Sequence, residues 1–125
     1  MKNKKITIIA ANDYYFGIPI INRLCQNFKT NIQSIILIDG FFSFKKVIYL
    51  LFMFNPFFIL KKVIQSFKSR KKLSNIVSNK KINFFNTNNI NSSESVNFLK
   101  NQKSSIVVIL SCPQILSKRV LKVKK

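Results

Sequence analysis

Ile6-Thr7-Ile8-Ile9-Ala10-Ala11-Asn12-Asp13-Tyr14-Tyr15-Phe16-Gly17-Ile18-Pro19 is the stretch on which the fold class turns. Residues 6–10 are mostly β-branched and apolar, with no second polar face. That is the pattern of a strand covered on both sides in a parallel sheet. Asn12 and Asp13 punctuate the run, and Gly17-Ile18-Pro19 opens a helix in which Pro19 falls near the first helical position, where its missing N–H costs nothing. Ile18, Ile21, Leu24, Cys25 and Phe28 then recur at helical spacing and define one apolar face. The turn between strand and helix lacks the G-x-G-x-x-G glycines that let a pyrophosphate approach a helix N-terminus, which argues against a dinucleotide site.

The same alternation continues along the chain. Residues 32–38 read as a second strand closed by the turn pair Asp39-Gly40, residues 81–85 as a third and residues 104–110 as a fourth. Between the last two, Asn91 with Glu94 resembles a capping box, and Val96 with Leu99 supplies an apolar helical face. Asn- and Ser-rich residues 74–79 and 86–95 read as loops or caps. Strand–helix–strand order of this kind predicts one α/β domain over residues 1–125. It would be a Rossmann-like open parallel sheet of about four strands with right-handed crossover helices.

A Phe-rich helical insert, both hydrophobic and basic, is expected at residues 41–79. Lys45-Lys46, Asn55-Pro56 and Lys61-Lys62 divide it, with Asn55 placed to cap a helix that begins at Pro56. Its longest uncharged stretch, residues 47–60, is shorter than the roughly 18 residues of a membrane-spanning candidate. Helices packed on the sheet or on a partner half, an interfacial helix pair on a membrane surface and a true span all remain open for this segment.

Composition narrows the chemistry. Twenty-two basic residues stand against three acidic ones, Asp13, Asp39 and Glu94, for a net charge of +19. Such a field favours polyanions such as RNA, nucleotides and anionic membrane, although AT-rich coding would also enrich Lys, Asn and Phe together. The chain has no histidine, which removes the Ser-His and Cys-His dyads and any imidazole base. Cys25 and Cys112 are too far apart in sequence for metal-ligand spacing and read as reduced packing residues, consistent with the cytoplasm. No metal site is expected. The cluster Lys68-Ser69-Arg70-Lys71-Lys72 reads either as a phosphate contact or as a solvated face.

Ile106-Val107-Val108-Ile109-Leu110-Ser111-Cys112-Pro113-Gln114-Ile115-Leu116-Ser117 is an apolar strand, a small turn and an Ile-Leu pair leading into an amphipathic turn. Together with the Phe16-Gly17-Ile18-Pro19 opening, it resembles the N-terminal domain of the formyltransferase family, whose members act on methionyl-tRNA, glycinamide ribonucleotide and amino sugar nucleotides. The resemblance implies 10-formyltetrahydrofolate as cofactor, with the backbone of Gln114, Ile115 and Leu116 against its pteridine. It also implies that Asn12 and Asp13 lie where the tRNA or nucleotide-sugar acceptor would come, though both equally suit a turn and helix cap. The family's catalytic Asn, His and Asp have no counterparts here. The chain therefore reads as the amino-terminal part of such a domain, truncated before the Asn-x-His motif, with no catalytic residue of its own and a separately encoded catalytic half as a possible partner. Two other classes stand beside this reading: a basic α/β protein that binds RNA or another anion, and a small membrane-surface protein.

Overall fold

A computed structural model describes residues 4–13, 17–28, 31–39 and 44–124 of the chain. Four strands, β1 (Ile6–Ala11), β2 (Ile32–Ile38), β3 (Asn83–Thr87) and β4 (Ile106–Leu110), form one sheet in the order β3-β2-β1-β4. All three strand pairs are parallel. The expected α/β open parallel sheet is therefore the fold. The helices are α1 (Gly17–Asn27), α2 (Phe44–Met53), α3 (Pro56–Asn79), α4 (Ser93–Asn101) and α5 (Lys118–Leu121), the last running into a 3₁₀ turn at Lys122–Lys124.

β1 and β2 are central because their side chains are apolar in both directions. On one face Ile8, Ala10, Ile35 and Leu37 meet Ile18, Ile21 and Cys25 of α1 and Leu73 of α3. On the other, Ile9, Ile36 and Ile38 meet Val96 and Leu99 of α4 and Val120 of α5. Each fully buried Ile of this kind is worth roughly 1.5–3 kcal/mol of transfer free energy. Two layers of helix thus close over one sheet, which is why the strands read as continuous apolar runs and not as alternating ones. At the amino end of the sheet three buried hydroxyls line up across strands. The Thr7 hydroxyl lies 2.7 Å from that of Ser34 and 2.6 Å from that of Ser104, so polar groups buried between strands satisfy one another.

Gly17 is required by packing. A Cβ at this position would run into the carbonyl oxygen of Ala11, so only glycine lets α1 start this close to the end of β1. Asn22, also buried, donates through Nδ2 to the Ser69 carbonyl at 3.2 Å and ties α1 to α3.

Several boundaries depart from the sequence reading, each for an identifiable reason. Residues 74–79 are helical, because Leu73, Ile76 and Val77 dock on the first core face and carry α3 through its Ser and Asn residues. The third strand consequently begins at Asn83. Lys81, at φ 51°, first turns the chain out of the helix, and the Ile82 N–H closes on the Val77 carbonyl at 3.2 Å. Ser104 and Ser105 precede β4 and do not belong to it. The cap of α4 is Ser92, whose hydroxyl accepts from the Ser95 N–H, and not Asn91. Phe28 lies past the end of α1 and is exposed. The break inside the insert falls at Asn55, whose side chain accepts from the Phe57 N–H at 2.9 Å ahead of Pro56. Phe16 of the helix opening, Gly40 of the expected turn and residues 41–43 of the expected insert lie outside the described residues.

Candidate functional site

In a parallel sheet all carboxyl ends lie along one edge, and the crevice opens where the strand order reverses. Here that point lies between β1 and its neighbour β4. Two groups of residues line this edge.

The first follows β1 and β2. The Asn12 N–H extends the sheet ladder by donating to the Ile38 carbonyl at 2.9 Å, and the Asp39 N–H donates to the Thr87 carbonyl at 2.8 Å. This in-register exit brings the side chains together, and Asn12 Nδ2 donates to Asp39 Oδ1. Asn12 Oδ1 has no hydrogen-bond partner among the described residues. Asp13 turns back on α1: its Oδ2 accepts from the Gly17 N–H at 3.3 Å and its carbonyl from the Ile18 N–H at 3.0 Å. Both Asn12 and Asp13 are buried. The positive end of α1 is thus occupied by the chain's own carboxylate, which agrees with the absence of a glycine-rich phosphate loop. Two of the three acidic residues stand on this edge, so it is locally unlike the basic remainder of the molecule.

The second group is the β4–α5 loop. Ser111 leaves the strand with φ 48°, a left-handed conformation that non-glycine residues adopt at some cost. The Cys112 thiol then donates to the Gln114 carbonyl at 3.2 Å. Gln114 reaches across to the β3–α4 loop, accepting from the Ile90 N–H at 2.9 Å and donating to the Asn88 carbonyl at 2.6 Å. Asn91 answers from the other side. Its Nδ2 donates to the Ile115 carbonyl at 2.8 Å, and its Oδ1 accepts from the Ser117 N–H at 2.7 Å. Ser117 in turn caps α5. These four bonds join the two loops as a two-sided brace.

Gln114, Ile115 and Leu116 therefore do three different things. The Gln114 side chain is a brace, Leu116 packs on the second core face, and the Ile115 side chain is 92% exposed. Sequence reasoning singled out all three but missed Asn91 as their partner. The signal was present, since Asn91 and Ser92 are adjacent cap-type residues and a helix takes only one. Asp39, which the sequence places in a turn with Gly40, also accepts from the Asn12 side chain, a pairing the sequence does not show. Among the described residues no three His, Cys, Asp or Glu side chains are grouped to hold a metal. No protein-family model matches the chain, and no curated protein or solved structure is similar to it.

Proposed function

We propose that the chain is a formyltransferase-like amino-terminal domain whose β4–α5 loop forms part of a surface for 10-formyltetrahydrofolate. The observation that carries this reading is the braced loop beside the β1/β4 switch point. Asn91 and Gln114 fix its backbone from the β3–α4 side, while Ile115 stays open to solvent. A flat heteroaromatic ring needs that combination, a held main chain next to an uncovered apolar side chain. The sheet supplies the position and the loop supplies the contact. Formyl transfer to an amine acceptor also needs oxyanion stabilisation and a proton carrier of near-neutral pKa. With no histidine, this chain is assigned the fold and the cofactor-facing loop, and the acid–base step falls to a catalytic partner half.

An NMR titration of the ¹⁵N-labelled chain with 5-formyltetrahydrofolate tests the reading. Amide shifts should centre on residues 111–117 and saturate with a Kd on the order of 0.1–1 mM, equivalent to about 4–5.5 kcal/mol. Shifts spread over the Lys-rich surface, or none at about 5 mM, roughly five times the weakest Kd expected, would show that the loop is only a packing device.

A further inference from the structure

The insert presents an exposed apolar surface that the fold does not account for. Among the described residues, α3 is anchored through its second half, where Leu73 is buried, Ile76 and Val77 join the core, and the Ser69 carbonyl receives Asn22. Most of its first half and, among the described residues, most of α2, which adjoins α3, is exposed. Phe52 is 88% and Phe57 81% exposed, and Met53, Phe54, Phe58, Leu60 and Phe67 are each more than half exposed. Except for Phe67, these residues lie within five positions of Asn55, so the apolar surface is the tip at which α2 turns into α3. Monomeric proteins seldom leave such a patch without an occupant.

Charge identifies the occupant. Residues 47–60 carry no charge, and the first charges on either side are Lys45-Lys46 and Lys61-Lys62. At 1.5 Å per residue the apolar tip ends about 9–14 Å from the Asn55 turn on its two arms. The shorter arm, about 9 Å, falls within the roughly 5–10 Å to which the apolar face of an interfacial helix is buried at the headgroup boundary. Lys62 lies 5.5 Å from the Phe58 ring centroid, a basic group folded over the edge of the tip. Farther along α3 follow Lys68, Arg70, Lys71 and Lys72, and residues 44–79 contain no acidic residue. A second copy of a +19 chain would be repelled from this surface, whereas anionic headgroups would be drawn to the basic collar while acyl chains receive the Phe side chains. No helix among the described residues is long and apolar enough to cross a bilayer.

We propose that the α2–α3 pair docks the protein on the surface of an anionic phospholipid bilayer, tip inserted and collar at the headgroups. The inference is independent of the folate reading, because the helix pair and the β4–α5 loop share no residue. Flotation of the full chain with vesicles tests it at 0.1 M salt, using phosphatidylcholine alone and phosphatidylcholine with 30 mol% phosphatidylserine. Partitioning should be at least about tenfold stronger on the anionic vesicles. Phe52→Ser with Phe57→Ser should reduce it by at least about tenfold while the circular dichroism spectrum and melting curve stay unchanged, since both rings are exposed. Lys45→Gln with Lys61→Gln should weaken anionic binding and leave the residual neutral binding alone. Equal flotation of the Phe variant would reduce the effect to net charge and overturn the proposal. A lipid-free dimer at 0.1 M salt that the same Phe substitutions dissolve would also overturn it, since the tip would then be covered by a second copy.

Discussion

Cys25 shows how one side chain sets a pH limit for the fold. It is buried against the first core face, and burial pushes its thiol above the ordinary value of 9.0, with the nearby Lys80 ammonium pulling the other way. Lys80 also donates to the Cys25 carbonyl, so the cation is held in place by the backbone of α1. A folded-state pKa above the unfolded one means that the folded protein keeps a proton which the unfolded chain releases. The stabilisation is therefore complete below about pH 9 and is lost as pH rises through the folded value. Urea midpoints taken from about pH 8 to pH 10.5 should fall for the native chain and fall less steeply for Cys25→Ala. The difference between the two curves isolates the thiol, since every other group is common to both. Parallel curves would mean that the thiol sits in a more polar site than its burial indicates. Cys112, half-buried at the β4–α5 loop, is outside this core and serves as the internal comparison for thiol reagents.

Within a single element, α3 separates a packed function from an exposed one. Leu73→Ala removes a buried side chain shared by the helix and the sheet and should cost about 2–5 kcal/mol. Phe57→Ala, sixteen residues earlier on the same helix and 81% exposed, should change stability by no more than about 0.5 kcal/mol. Chemical denaturation of the two variants measures both, and equal losses would show that the first half of α3 is packed after all. The contrast also explains what could be read from the sequence. β1 and β2 were legible because seven Ile residues leave no alternative to a strand buried on both faces. The α2–α3 break was legible because Asn55 and Pro56 are local signals with a local cause. The end of α3 was not, since Ser74, Asn75, Ser78 and Asn79 favour a loop by propensity and only docking of Leu73, Ile76 and Val77 overrides them. The site divides in the same way. Gln114, Ile115 and Leu116 announce themselves by position after an apolar strand, but their bracing by Asn91 spans 24 to 26 residues and depends on the neighbouring loop. The Asn12–Asp39 pair is likewise set by register, Ala11 opposite Ile38, which a linear pattern does not contain.

For the molecule as a whole, long-range charge and local surface oppose one another. β4 is an edge strand, with Ile106 and Ile109 exposed at 37% and 43% and no charged residue anywhere along it. Its outer N–H and C=O groups offer a template to another copy, and nothing of the usual protection by an edge lysine or proline is present. The α2–α3 tip adds a second adhesive surface. Against both stands the net charge of +19, whose repulsion reaches about 10 Å at 0.1 M salt and shrinks to about 3 Å at 1 M. Dilute protein at low salt should therefore elute as a monomer in size-exclusion chromatography and associate progressively as salt rises towards about 0.5 M. The edge and the tip can be told apart by substitution. Ile109→Lys places a charge at an exposed position of β4 and should keep the protein monomeric at high salt if edge pairing drives association. Phe52→Ser with Phe57→Ser should do so only if the tip drives it. We expect the edge to dominate, because strand addition forms a row of backbone hydrogen bonds and is insensitive to the lysines that flank the tip, whereas tip-to-tip contact brings two basic collars together even under partial screening. A single sharp monomer peak at 0.5 M salt for the unsubstituted chain would contradict this, and would mean that the loops around β4 shield its outer backbone groups by themselves.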